Sequence, residues 1–250
     1  MSQQFFLVER GGMVYALPSE LVTGVERFTN SLVRLDLALG ASLEVERISM
    51  PIKAPGEAAR RLSPGAERAL PGALGVLRLP QGLVLAVSPS FFTPAPIARR
   101  TPRLDALAEV RAGATGATGA NGDAMLLRLA GTSARLLLPA AQVLEVIPRP
   151  EVMRLETAWQ GLAALIEWQG QIVPVYGCAE GPPERVAIVR GTASPEACAM
   201  IIDERVERTR WPLKNIHGPC ADFTPPFPVR GLFGYEGQPL LIPDVDVLAA

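Results

Sequence analysis

The sequence predicts an all-β protein, and three observations lead to that class. Short apolar runs of about four to eight residues, bounded by Gly, Pro or Asn, recur along the chain. Its 250 residues include 24 prolines and 23 glycines, which break helices and supply turns. A unit of Gly, apolar strand, Gly-containing turn and second apolar strand occurs three times, at 72–88 (GALGVLRLPQGLVLAVS), 161–176 (GLAALIEWQGQIVPVY) and 231–244 (GLFGYEGQPLLIPD). Each copy predicts a β-hairpin, turning at Gly82, Gly170 and Gly237.

In chain order, the apolar stretch at 1–9 is too short for a secretory signal and lacks its basic start and small-residue cleavage site. A strand at 13–17 ends at Leu17-Pro18, and a short helical turn at 18–22, with proline near its first position, leads into another strand. The same order recurs at 134–149 (ARLLLPAAQVLEVIPR), with a strand at 136–138 and a helical turn at 139–143. This second repeat suggests that the two halves share ancestry. The first half differs by an insertion at about 28–71, where the Ala, Arg and Glu content of 58–69 predicts a helix. A strand at 83–87 and a Pro-rich stretch at 93–102 close that half. The run RAGATGATGANGD at 111–123 has nothing able to fill a core and reads as a solvated linker. It lacks the leading strand and the Lys-Ser/Thr pair of a phosphate loop. The expected organisation is therefore a smaller β domain at 1–105, a flexible linker at 106–122 and a second domain at 123–250. Within the last, strands are expected at 171–176, 186–190 and 198–203.

Composition removes several functional classes. No apolar run approaches the roughly 20 residues of a bilayer-spanning helix, and with no signal the expected location is cytoplasmic. A net charge of -1 and 6% aromatic residues argue against nucleic acid as a partner. Cys178, Cys198 and Cys220 form an odd set without a CxxC pair, so neither a disulfide framework nor a zinc site is supported. His217, the sole histidine, stands in NIHGPC with no nucleophile motif around it and reads as a loop residue, not a general base. Asp203, Glu204, Asp244 and Asp246 fall at strand ends and read as turn carboxylates in preference to a metal cage. Of Trp159, Trp168 and Trp211, Trp168 is the best interface anchor, because it flanks the turn at Gly170. The alternating charges of DERVERTR at 203–210 read as a solvated face in preference to a polar interface rim. No cofactor or catalytic constellation emerges.

The order LLLPAAQVLEV, GLAALIEWQGQIVPVYG, RVAIVRGTASPEACAMIIDERVERT, VRGLFGYEGQPLLIPDVDVL resembles the CheW-like domain family over the second half. That resemblance implies a pair of small five-stranded β-barrels, the first expected from 124–176 and the second from 185–202 with 231–248, preceded here by a smaller, degenerate barrel-like relative. It also implies a non-enzymatic adaptor that binds the cytoplasmic tip of a chemoreceptor and the regulatory domain of a CheA-like histidine kinase, without entering the membrane itself. Val143 and Glu145 match the stretch that follows the first short helix and faces the receptor. At the hairpin turn the family usually carries Asn-Leu-Arg-Gly, where this chain has Glu167, Trp168, Gln169 and Gly170. Glutamine there gives up the charged fork of arginine, which favours an alternative role as an accessory protein that binds kinase-type barrels without receptors. Asp203 and Asp244 fit positions where the family often has an acidic residue. A β-barrel hydrolase is the remaining alternative and predicts a deep pocket of converging polar groups.

Overall fold

The computed structural model describes residues 3–27, 29, 32–54, 59–80, 82–92, 122–159, 161–178, 181–193, 195–210, 213–220 and 222–249. The expected linker, apart from Gly122, and Trp211 lie outside the described residues. The first half contains β1 (Gln3–Arg10), β2 (Met13–Pro18), β3 (Val22–Arg27), β4 (Val33–Leu37), β5 (Ser42–Val45), β6 (Arg47–Ile48), β7 (Ile52–Ala54), β8 (Ala59–Arg60), α1 (Pro64–Ala69), β9 (Ala73–Leu79) and β10 (Gly82–Val87). The second half contains β11 (Asp123–Leu129), β12 (Arg135–Pro139), β13 (Val143–Pro148), β14 (Val152–Trp159), β15 (Leu162–Trp168), β16 (Gln171–Tyr176), β17 (Arg185–Arg190), β18 (Ala197–Arg210), β19 (Ile216–Pro219), β20 (Val229–Tyr235), β21 (Gln238–Pro243) and α2 (Val245–Ala249).

The all-β expectation holds, and side-chain patterning explains the layers. β20 alternates buried and half-exposed residues along VRGLFGY, as a strand with one core face must. β12, by contrast, buries Leu136, Leu137 and Leu138 in succession, because Leu136 and Leu138 face one apolar cluster and Leu137 faces another on the opposite side. Helix is scarcer than the sequence suggested. The helix expected at 58–69 is confined to α1, since Pro64 occupies its first turn and the Ser63 hydroxyl accepts from the amide of Ala66. Upstream of it the chain is extended in β8. The turns expected at 18–22 and 139–143 are single 3-10 turns, Ser19–Leu21 and Ala140–Gln142.

The partition of the second half differs from the one expected. Its two β-units are interleaved instead of following chain order. β18 joins them: its apolar start pairs with β17 and β16, and its polar end pairs with β11. One unit therefore runs β13–β17–β18–β16–β15–β14, and the other β18–β11–β12–β21–β20–β19. Strands β11 and β12, expected in the first unit, belong to the second, where β12 pairs in parallel with β21. The reason is the change of character along β18 from CAMII to DERVERT, which moves one continuous strand out of one apolar layer and along another.

The hairpins are formed as expected, with one displaced turn. Gln169 and Gly170 have φ of 49 and 78 degrees, and Glu236 and Gly237 have 50 and 75 degrees, the positive pair of a type I′ turn. In the first hairpin Gly82 instead pairs with Leu79 inside the ladder, so the turn lies before it and includes Pro80. Proline, fixed near a φ of −65 degrees, cannot enter a type I′ turn.

The repeated order has a geometric counterpart. β1–β2 pairs Phe5 with Pro18, and β11–β12 pairs Ala124 with Pro139. Counting from those prolines, the parallel contacts Tyr15–Leu85 and Leu136–Leu241 occupy the same place. The closing hairpins share a bulge too, Gly75 opposite Ala86 and Gly231 opposite Ile242. The insertion in the first half supplies β4 and β5, which with β3 make a separate three-stranded sheet, together with the edge strands β6, β7 and β8.

The halves pack on each other. A single cluster of buried residues includes Val8, Leu17, Leu62, Leu70 and Leu85 of the first half and Leu127, Leu165, Ile172 and Leu241 of the second.

Candidate functional site

β13 leaves the 3-10 turn with a bulge: Val143 pairs with Val189 and Glu145 with Ile188, leaving Leu144 without a ladder partner. A bulge rotates the side chains that follow it. Val143 stays half-buried against the core, whereas Leu144 and Glu145 both face solvent, Leu144 at 37% exposure. The β15–β16 turn lies beside them, and the indole Nε1 of Trp168 donates to Glu145 Oε2 at 2.9 Å. The structure thus brings Glu145 and Trp168 together from strands far apart in sequence. Trp168 is half-buried, its ring packed against the cluster of Ala164, Val173 and Ile188, while Gln169 and Gly170 are exposed at the turn. Nothing stands within 4 Å of where a Cβ on Gly170 would be, so its requirement is the positive φ alone.

Glu167, the residue before Trp168, was not singled out from the sequence. It accepts from Arg78 Nη2 at 3.1 Å and pairs with Arg60 Nε at 3.3 Å, both from the first half. Arg78 also meets Glu151 at 3.4 Å, and these carboxylates raise the Arg78 guanidinium above its ordinary value. No local signal marks this cluster, because it joins charges 73 to 107 positions apart in the chain. Leu144 was the more accessible omission, lying directly before Glu145.

The other residues weighed from the sequence have structural partners. Arg230 bridges Asp244 and Asp246, and Asp246 also accepts from the Thr192 hydroxyl at 3.1 Å and the Ala193 amide at 2.8 Å, closing the β17–β18 connection. Burial lowers the Arg230 pKa, but the two carboxylates more than offset this and the net shift is upward. Asp203 pairs with Arg128 at 3.1 Å. His217 is exposed on the edge strand β19, opposite Gly234. Cys198 is fully buried, and loss of hydration pushes its thiol pKa up, so it is an inert core residue. Among the described residues no group of three or more His, Cys, Asp or Glu could hold a metal ion. A cleft of about 690 Å³ opens between the halves, and its charged lining includes Glu9, paired with Arg47, and Glu151, paired with Arg78.

Taken together, the exposed constellation is an apolar Leu144, a hydrogen-bonded Trp168–Glu145 pair and a protruding Gln169–Gly170 turn. This arrangement can contact another protein with a half-buried aromatic and an apolar side chain inside a polar rim. No helix among the described residues is long and apolar enough to cross a membrane.

The CheW-like domain family model matches residues 123–250. Among solved structures, the scaffolding protein TtCheW from Thermoanaerobacter tengcongensis is similar at 17% identity and a TM-score of 0.36, covering 52% of this chain and 92% of that one. No curated protein matches the chain.

Proposed function

The chain belongs to the CheW-like domain family, a family of chemotaxis scaffolds, and from that premise we propose that it is a non-enzymatic adaptor coupling chemoreceptors to a CheA-type histidine kinase. The observation that carries the reading is the outward cluster of Leu144, Glu145 and Trp168 at the turn of Gln169 and Gly170, a surface made for contact and not for chemistry. Val143 supports it from the core side. In this reading one surface receives the cytoplasmic tip of a receptor while another pairs with the kinase regulatory domain. Holding both partners raises the effective concentration of each for the other and lets receptor state bias kinase activity. The smaller first half is a related partial copy, a reading supported by its shared hairpin register. Residues 1–105 and 123–250 then act as two units around the segment 106–122. The working location is the cytoplasmic side of the membrane, reached through the receptors.

A second reading keeps the fold and drops receptor coupling, and a specific observation favours it. The turn has Gln169 in place of arginine, and Glu167 beside it is already engaged by Arg60 and Arg78. Pull-down with a receptor cytoplasmic fragment and with a kinase regulatory domain, each alone, separates the readings. The coupling role predicts capture of both, and the accessory role predicts capture of the kinase domain only. Capture of neither sinks the adaptor account.

A further inference from the structure

The first half contributes a short strand to the second. Arg61, Leu62 and Ser63 run beside the start of β16: the Ser63 amide donates to the Ile172 carbonyl at 2.8 Å, and the Ile172 amide donates to the Arg61 carbonyl at 3.1 Å, with Leu62 and Ile172 paired in parallel. This two-way exchange is how an extended peptide adds to a sheet edge. On its other side β16 is paired with β15, and its parallel pairing with β18 begins only at Val175. The edge at Ile172 would otherwise present an amide and a carbonyl to solvent, a template for strand pairing. Side chains fix the guest at both ends. Leu62 is 6% exposed and joins the shared core. Arg60 pairs with Glu167 on the neighbouring strand. Beyond Ser63 the chain enters α1, whose Gly65 lies so close to α2 that a Cβ would stand 2.6 Å from the Ala249 carbonyl oxygen.

The geometry points to a strand-docking site on the second half, made by the Ile172 edge and the Glu167 carboxylate, that fits an extended segment with an arginine two residues before a buried leucine. In the intact chain this site is filled from within by 60–63. It is closed to any other strand, so partners must engage elsewhere, as at the Leu144–Trp168 surface. This inference does not rest on the identity of the partners.

Hydrogen exchange on the full chain, read at the Ile172 amide, tests it. Ser63→Pro removes the amide donor, and with it the hydroxyl that caps α1, at a residue whose φ of −66 degrees already suits proline. The Ile172 amide should exchange at least tenfold faster in this variant, with the Val173 amide unchanged. A synthetic peptide spanning 59–66, at millimolar concentration, should restore protection in the variant and leave the wild type unaffected. Should Ser63→Pro fail to fold, Arg60→Glu with Arg78→Glu serves instead, because both side chains are partly exposed and away from the core. Adding Glu167→Arg to that pair should reverse its effect. Unchanged exchange at Ile172, absence of peptide protection in the opened variant, or peptide binding to the wild type would each overturn the proposal. So would a chain of doubled mass with Ile172 equally protected, since the occupant would then be a second copy. None of these readouts involves kinase or receptor, so a failure here is distinct from a failure of the adaptor role.

Discussion

Gly161 and Gly170 both have positive φ, 80 and 78 degrees, yet they answer to different demands. A Cβ on Gly161 would collide with the Pro226 carbonyl oxygen, whereas Gly170 has open space around it. Gly170→Ala should therefore lose only the backbone preference, about 1 kcal/mol, while Gly161→Ala should lose more than about 3 kcal/mol because backbone must move as well. Denaturant titration of the two variants checks this contrast. Cys198 and Tyr176 provide a pH signature. Burial holds both in the protonated form, and the Tyr176 hydroxyl donates to the Leu248 carbonyl at 3.2 Å. The unfolded chain begins to release these protons near about pH 8.5 for cysteine and about pH 10 for tyrosine, so above those values the native state holds more protons than the unfolded one. Their stabilisation is complete below about pH 8.5 and is lost as pH rises, by at most about 1.4 kcal/mol per pH unit for each group. The urea midpoint should fall between pH 8.5 and 10.5, and Cys198→Ala should flatten the first part of that fall. At this scale the sequence was informative where chemistry is local. The lone His217 and the absence of paired cysteines could be read directly, whereas the Asp246–Arg230 bridge depends on a fold that brings α2 beside β20.

Strands and hairpins were legible because period-two burial and turn chemistry act over a few residues. The type I′ turns at Gln169–Gly170 and Glu236–Gly237 are examples. In the proline-bearing first hairpin Gly82, the evident turn former, sits in the ladder and the turn precedes it. The helix at 58–69 was overread because helix propensity in Ala, Arg and Glu is weak against the pairing of β8 with β9 and the demand of Ile172 for a strand. The bulge at Leu144 gives the element-scale prediction. Leu144→Asp should change stability by less than about 0.5 kcal/mol, since the side chain is exposed, while weakening partner capture at least tenfold. Pull-down alongside a melting curve reads both. A variant that binds normally removes this face from the account.

At the scale of the molecule, what escaped sequence reading is long-range pairing. β18 serves two β-units in turn, and β11 pairs with its distant end as well as with its own neighbour β12. Hydrophobic runs specify that a strand is buried but not which strand covers it. The same holds for the contact between halves, which rests on Leu62 and Gly65 in the insertion at 28–71 and on Arg78 in the hairpin that follows it. A shared core predicts that the two halves melt together, in one calorimetric transition. Two separated transitions would mean that each half holds its own core. In the proposed adaptor role the chain works by holding two proteins at once on its outer faces. Sedimentation velocity of the full chain with a receptor cytoplasmic tip and a kinase regulatory domain tests it most directly. A ternary complex larger than either binary one is the predicted result, and mutually exclusive binding of the two partners would contradict it.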